Sequence, residues 1–259
     1  MYNYKITVEY DGTNFVGWQQ QANGLSIQSS LQDSLFKLSG EKVVVYGAGR
    51  TDAGVHAFNQ FVHFDTNSTR KIDSWVKGTN ANLPDDIVVK NFFKVDTNYH
   101  ARFDATSREY LYVIKNANTP PAIGFNNYLW IKKSLNIEKM NKAAKYLIGE
   151  KDFSAFRASG CQSKSPIREI TKAKIVRKGE YVYFVIKGNA FMLNMVRIIT
   201  GTLLDVGTNK KNISDFKEII KQKNRKKAGK TISPKGLYFL GPEYNELNYI
   251  KEGILNELD

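Results

Sequence analysis

The chain has 259 residues, of which 42% are hydrophobic and 24% charged, a balance typical of a soluble globular protein with one large or two ordinary domains. Its single cysteine, Cys161, excludes an internal disulfide and a cysteine-based zinc cage, and no run of about 18 apolar residues is present to span a membrane. The formal net charge of +13 favours a nucleic-acid partner, although codon bias alone produces a similar excess in some genomes. We expect a reduced, cytoplasmic protein without a signal peptide.

The first half of the chain is predicted to contain strands around a helix. Alternating β-branched residues indicate a strand at residues 4–10, and apolar residues at helical spacing after Ser26, a candidate N-cap, indicate a helix. Further strands are predicted at 42–49, 58–66 and 85–95, with a short helix starting near residue 73. The sequence GAGRTDAGVHA at 47–57 therefore forms a turn between two strands, and Asp52 lies in that turn.

The second half repeats this pattern of strand, helix and strands. A strand is predicted at 107–116, a helix across Ile137, Met140, Ala144 and Leu147, and a hairpin at 169–188 that turns at Lys178-Gly179. A buried helix at 189–207, a short helix at 214–223 and a closing strand at 236–244 follow. We therefore predict an α+β fold with two similar α/β halves and mainly antiparallel sheets, divided at residues 1–106 and 107–259.

The GRTD segment and the residues that follow it do not match a phosphate-binding loop, a metal site or a cysteine nucleophile. It lacks the Lys-Ser/Thr ending of a phosphate-binding loop and precedes a strand, so no helix N-terminus is available. His63 and Asp65 share one face of a strand, but no HxxxH motif completes a metal site. Cys161 has no nearby histidine and is interpreted as a surface thiol. Two interpretations of Asp52 remain: a carboxylate kept ionised by nearby Arg50, or a cap on a glycine-rich turn.

Six motifs occur in order along nearly the whole chain, from residue 4 to residue 243. They are YDGTNFVGWQQQ, GAGRTDAGVHAFNQ, NANLPDDIVV, HARFDATSREYLYVI, NAFMLNMVRIITG and KGLYFLG. Together they resemble the tRNA pseudouridine synthase A (TruA) family, and GRTDAGVHA with a downstream REYLY is the most specific pair.

The resemblance implies the fold, the activity and the site residues. It implies two halves joined into one continuous sheet around a basic cleft, and isomerisation of uridine to pseudouridine at positions 38, 39 and 40 of the tRNA anticodon stem-loop. It implies a homodimer that binds tRNA and uses no cofactor or metal. By motif, Asp52 matches the catalytic aspartate and Tyr110 the active-site tyrosine. Arg50 matches the arginine that fills the space of the flipped base, and Arg197 the arginine that pairs with the carboxylate.

Two features leave the substrate open. Asn194 replaces a histidine that often precedes MVR in the family, and ISPKGLYF departs from the usual C-terminal motif, so the exact tRNA preference is not specified. Lys221–Lys230 carries six basic residues in ten, which suits either phosphate contact or a solvated helix end. Alternative functions are a non-catalytic RNA-binding protein on the same scaffold and a synthase that acts on ribosomal RNA.

Overall fold

The computed structural model describes residues 1–245, which divide into two compact units. Unit 1 comprises Met1–Thr106 with Tyr238–Pro242, and unit 2 comprises Ser107–Leu237 with the described residues after Pro242. The predicted α+β class with mainly antiparallel pairing is confirmed by the ten strands and five α-helices of the described chain. No helix in the described residues is long and apolar enough to cross a membrane.

Unit 1 is a mixed sheet with two helices. Its elements are β1 (Tyr2–Tyr10), α1 (Ile27–Ser39), β2 (Tyr46–Gly47), β3 (His56–Thr66), α2 (Ile72–Asn80), β4 (Ile87–Val95) and β10 (Leu237–Glu243). β1 lies between β4 and β3 and pairs antiparallel with both. The other edge of β3 pairs antiparallel with β2 at one end and parallel with β10 at the other.

The two faces of the unit 1 sheet carry different residues. On one face, Trp75 of α2 packs between Tyr4 and Phe92, with ring centroids 5.5 and 5.4 Å away. On the other face, buried Lys5 of β1 pairs in register with His63 of β3. The helices therefore cover the apolar face, and the opposite face keeps polar side chains under loop segments.

Unit 2 is a mainly antiparallel sheet with three α-helices. Its elements are β5 (Ser107–Asn116), β6 (Leu129–Ile131), α3 (Ile137–Ala144), β7 (Gly149–Asp152), β8 (Ile167–Lys178), β9 (Tyr181–Gly188), α4 (Met195–Gly207) and α5 (Ile213–Gln222). The strands lie in the order β5-β9-β8-β7, and β6 pairs parallel with β5. α3 packs against α4, α5 and β8, and α4 is almost entirely buried.

Local patterns predicted most elements closely. The cap at Ser26 is confirmed as a capping box. The Ser26 Oγ accepts the Ser29 backbone N–H at 3.1 Å, and the Ser29 Oγ accepts the Ser26 backbone N–H at 3.2 Å. The helix at residue 137 is confirmed, although its last predicted turn is a 3-10 helix at Lys145–Leu147. β6 and β7 were not predicted.

Three boundaries were wrong. The predicted strand at 42–49 is reduced to β2, because the Val45 backbone bonds Gln28 and Gln32 of α1 instead of a neighbouring strand. α4 begins at Met195, after Asn194 adopts a left-handed backbone conformation. The hairpin turns one residue later than predicted, with Gly179 at φ +57.

The C-terminal part of the predicted division also differs. The prediction assigned all of 107–259 to the second half, but Tyr238–Pro242 belong to unit 1 because Tyr238 pairs with His56 and Phe239 with Ala57 on β3. The joining of the halves into one continuous sheet around a basic cleft stays a prediction.

Candidate active site

Asp52 lies in a tight turn between β2 and β3, as the sequence predicts. Its carbonyl accepts the Val55 backbone N–H at 3.1 Å, and Gly54, the third residue of the turn, has φ +74. That angle favours glycine, as in a type II turn. The Asp52 residue is half-buried, whereas Arg50 is exposed. A strand and no helix follows, which agrees with the argument against a phosphate-binding loop.

The N-terminal loop holds this turn from one side. Gly17 forms an antiparallel bridge with Asp52, and the Trp18 backbone N–H donates to the Thr51 carbonyl at 3.0 Å. Gly17 has φ +105, and a Cβ there would lie 2.6 Å from the Thr51 oxygen. Trp18 is only 2% exposed, and its indole lies against Gly47. Trp18 therefore anchors the loop.

Side chains hold the turn from the other side. Gln60 of β3 is fully buried, donates to the Gly49 carbonyl at 2.6 Å and accepts the Gly49 backbone N–H at 3.3 Å. The Tyr10 hydroxyl lies 2.8 Å from Thr51 Oγ1. Burial raises the pKa of Tyr10, while hydrogen bonds to Thr51 and Gln60 oppose the shift. Tyr10 thus remains a neutral hydroxyl next to the turn.

Sequence reasoning missed these supporting residues. Gln60 was visible as a polar residue next to the apolar pair Phe61 and Val62 in the strand segment FNQFVHF, and a buried amide in such a place needs hydrogen-bond partners. The contacts of Tyr10 and Gly17 with the turn left no local signal, because each joins residues more than 30 positions apart.

In unit 2, Tyr110 lies on β5 opposite Ile186 of β9. Tyr110 is 8% exposed, and its ring meets Phe191 edge to face with centroids 5.1 Å apart. Because side chains alternate along a strand, Tyr112 lies on the same face of β5. Burial raises the pKa of Tyr112, and the positive charge of Arg197 opposes the shift, so this arginine lies near that face.

Arg197 is fixed in the first turn of α4. Its Nε donates to the Ile232 carbonyl at 2.8 Å, and its Nη1 donates to Asn194 Oδ1 at 2.5 Å. Asn194 has φ +59, a conformation that asparagine tolerates better than most residues. The sequence comparison with the family placed Asn194 at a supporting position. In the structure, the Asn194 side chain positions the guanidinium of Arg197.

The predicted site residues therefore occur as two local groups. Arg50 and Asp52 share one turn in unit 1, and Tyr110 and Arg197 belong to unit 2. Each group has the local support described above. The assignment of catalytic and substrate-binding roles to the four residues stays a prediction.

The basic segment Lys221–Lys230 contains both structural and exposed cations. Arg225 donates to the Gly229 carbonyl at 2.9 Å, and Lys223 lies 3.0 Å from Asp152. Lys226 and Lys227 are exposed. Lys226 and Lys227 are adjacent and are better candidates for phosphate contact than Lys223 and Arg225, which support the fold.

The metal alternative has little support from the described residues. His63 Nδ1 accepts the Ala101 backbone N–H at 3.1 Å, and the ring is buried, whereas Asp65 is exposed. Among residues 1–245, no three His, Cys, Asp or Glu side chains are grouped closely enough to hold a metal ion. Cys161, the predicted surface thiol, is half-buried, and its carbonyl accepts a hydrogen bond from Arg157.

A family profile and two named relatives match this chain. The profile of the tRNA pseudouridine synthase family matches residues 6–104 and 143–245. The chain belongs to this family. A protein of Francisella tularensis subsp. holarctica named tRNA pseudouridine synthase A is 42% identical over 252 residues, which cover 97% of this chain and 98% of that protein. A protein of the same name from Francisella philomiragia is 42% identical over 249 residues, 96% of each chain.

A solved structure was also matched. The crystal structure of a Cbf5-Nop10-Gar1 complex aligns with 77% of this chain and 54% of that chain, at 13% identity and a TM-score of 0.34. A score this low carries no argument about the fold. The family prediction is confirmed by the profile and the relatives.

Proposed function

We propose that the chain isomerises uridine to pseudouridine in tRNA, at positions 38, 39 and 40 of the anticodon stem-loop, with Asp52 as the catalytic carboxylate and no cofactor. One observation carries the proposal. In a member of the tRNA pseudouridine synthase family, the GRTD turn is held by Gly17 and Trp18 on one side and by Gln60 on the other. This support fixes the backbone that carries the half-buried residue Asp52, which favours the accurate placement that catalysis requires.

The reaction explains why a carboxylate is suitable. Isomerisation breaks the N1–C1′ bond, turns the detached uracil and joins C5 to C1′, while N1 gains a proton and C5 loses one. A nucleophilic carboxylate divides this change into smaller steps. Three roles of the Asp52 carboxylate are consistent with these bond and proton changes: addition to C6, attack on C1′, or removal of the 2′-proton.

The other three residues supply binding and positioning. Tyr110 offers a flat ring on which uracil stacks and a hydroxyl that assists removal of the C5 proton. Arg197 favours the ionised form of the catalytic carboxylate. Arg50 fills the space left by the flipped nucleotide, which offsets part of an unstacking cost of a few kcal/mol. Because Arg50 is exposed and follows a fixed segment, its long side chain is suited to this task.

The partners follow from the charge and the family. The net charge of +13 suits the phosphate backbone of tRNA. We further propose that the protein works as a homodimer in the cytoplasm. Sedimentation of the free protein and of its tRNA complex tests the dimer.

The decisive test is the Asp52→Asn variant. An amide has the size of a carboxylate but cannot serve as nucleophile or base, so we expect tritium release from C5 of [5-³H]uridine tRNA to fall below detection. Asn caps turns nearly as well as Asp, so folding and tRNA binding should persist. Asp33→Asn, on the exposed face of α1, is the matched control and should release tritium normally.

The same assay separates the alternatives. Tritium release near the normal rate from Asp52→Asn protein would end the catalytic assignment and leave a turn-capping role. Release from ribosomal RNA and none from tRNA would indicate the other substrate. Binding of tRNA without any release by the unaltered protein would indicate a non-catalytic RNA-binding protein.

A further inference from the structure

Four rings of unit 1 form a continuous row that the proposed chemistry does not use, with one stacked pair at 23° between ring planes and two tilted pairs at 58° and 31°. We call Tyr46, His63, His100 and Phe103 the ring stack. Phe103 lies 4.2 Å from His100, His100 lies 4.4 Å from His63, and His63 lies 5.1 Å from Tyr46, all between ring centroids. Tyr46 and His63 are also register partners of β2 and β3.

Backbone hydrogen bonds fix the two inner rings. His100 Nδ1 accepts the backbone N–H groups of Arg102 at 3.2 Å and Phe103 at 3.3 Å. The His100 backbone N–H in turn donates to Asp104 Oδ2 at 2.8 Å, which closes a compact turn. His63 Nδ1 accepts the Ala101 backbone N–H at 3.1 Å. His63 of β3 therefore holds the 100–104 segment on the sheet, and His100 closes the turn within that segment.

The inner part of the stack is apolar in character. His63 is 4% exposed, and burial, together with the nearby charge of His100, lowers its pKa to about 4. His63 is thus neutral at physiological pH, which lets it pack against rings as an aromatic side chain. Asp65 and Asp104 oppose the shift, but the desolvation of the ring outweighs them.

The outer end of the stack faces solvent. Phe103 is 74% exposed, more than any other exposed phenylalanine of residues 1–245, and Tyr46 is 46% exposed. The guanidinium carbon of Arg102 lies 5.7 Å from the Phe103 ring centroid. Folding therefore buries little of the Phe103 ring, and most of its apolar face is available to a flat partner beside the Arg102 cation.

We propose that Phe103 is a stacking platform for an unpaired base of the RNA substrate, with Arg102 beside it for the adjoining phosphate. The inference rests on the family's tRNA substrate. Stacking on a protein ring tolerates any base, because every base has a π face. A single ring next to a cation fits a base and its phosphate better than it fits a protein partner, which requires a broad apolar patch.

The position of the stack along the chain supports this partner. Tyr46 is six residues before Asp52, a separation of at most about 20 Å even for an extended chain. The Phe103 ring lies beyond Tyr46, through His100, with ring centroids 5.7 Å and 4.2 Å apart. About ten stacked nucleotides at roughly 3.4 Å each span the whole path. One tRNA is therefore long enough to present its uridine to Asp52 and an unpaired base to Phe103.

The test compares Phe103 variants on two RNAs. Phe103→Ala should weaken binding of an anticodon stem-loop about 5- to 100-fold, raise KM and leave kcat nearly unchanged, since the contact binds ground and transition states alike. Phe103→Trp should bind normally and Phe103→Leu should resemble Phe103→Ala. A blunt RNA duplex, which lacks unpaired bases, should bind all variants equally. Phe36→Ala, on an exposed part of α1, is the matched control.

Several outcomes would overturn the proposal. If Phe103→Leu binds the stem-loop as well as the unaltered protein, the site needs apolar bulk and no stacking. If the duplex loses affinity in parallel, the ring contacts the RNA backbone. If Phe103→Ala changes the sedimentation of the free protein, the ring packs against a second copy of the chain. Normal stem-loop binding by Phe103→Ala protein with an unchanged melting temperature would remove the platform altogether.

Discussion

Replacement of Gly17 by alanine is the sharpest test of how the Asp52 turn is held. Gly17 has φ +105, and a Cβ there would lie 2.6 Å from the Thr51 carbonyl oxygen. Contacts that real Cβ atoms make begin at 3.0 Å and are ordinary from 3.4 Å. The Gly17→Ala variant must therefore move the turn or the N-terminal loop by about 0.4–0.8 Å, the difference between these distances.

Gly17→Ala should have two effects, a loss of folding stability from backbone strain and a loss of turnover from displacement of the Asp52 turn. The left-handed backbone angle costs about 1–3 kcal/mol for a residue with a side chain. The displacement of the turn acts on the reaction instead, because a misplacement of about 1 Å costs catalysis on the order of 100-fold. A shift of about half that size should lower kcat at least about 10-fold, while KM for tRNA changes little because most phosphate contacts are unaffected.

Gly40→Ala is the matched control for backbone strain. Gly40, the C-cap of α1, has φ +76, and a Cβ there would meet no atom within 4 Å. Both variants should lose thermal stability, by about 2–4 °C for each kcal/mol. Only Gly17→Ala should lose turnover in the tritium-release assay at a temperature where both are folded. If the two variants have the same kcat, the bridge between Gly17 and Asp52 does not position the carboxylate.

Three further changes test other parts of the site. Arg50→Ala should reduce turnover and leave most tRNA affinity, and a stopped-flow signal from 2-aminopurine beside the target uridine should show slowed base flipping; an unchanged signal rejects this role. Joint replacement of Lys226 and Lys227 by alanine should weaken tRNA binding and make the slope of log K against log salt shallower by about 2, one counterion per contact, whereas an unchanged slope removes the segment from the interface. Asn194→Gly keeps the left-handed backbone but removes the acceptor for Arg197, so kcat should fall about 10-fold with little loss of stability, while a kcat equal to that of the unaltered protein excludes the positioning role.

Elements that depend on local pattern were predictable. α1 follows from a Ser26 cap and buried Ile27, Leu31 and Leu35 at helical spacing, all within one stretch of 14 residues. The strand at 107–116 was predicted with its observed bounds, because the aromatic and aliphatic residues 110–114 form one continuous run of strand-forming side chains. In both cases the information needed to form the element lies inside it.

Residues 42–45 show where such inference stops. KVVV has strong strand character, but strand propensity describes side chains that fit a pleated sheet and does not supply a partner. Here the Val45 backbone donates to Gln32 Oε1 at 3.2 Å and its carbonyl accepts from Gln28 Nε2 at 2.9 Å. Two glutamines of α1 therefore bond the backbone N–H and carbonyl of Val45 that a neighbouring strand would otherwise bond. For this reason residues 42–45 do not form the predicted strand.

The candidate site combines both situations. The motif GRTD identified Asp52 and Arg50, and the flanking strands predicted the turn. The residues that make the turn rigid lie elsewhere in the sequence. A short loop satisfies only some of its buried backbone groups itself, and the remaining groups form hydrogen bonds with other segments. Gln60 does this for Gly49, and the Trp18 backbone does it for Thr51. A motif therefore identifies which atoms react, whereas the accuracy with which they are held depends on distant residues whose role becomes evident only once the chain is folded.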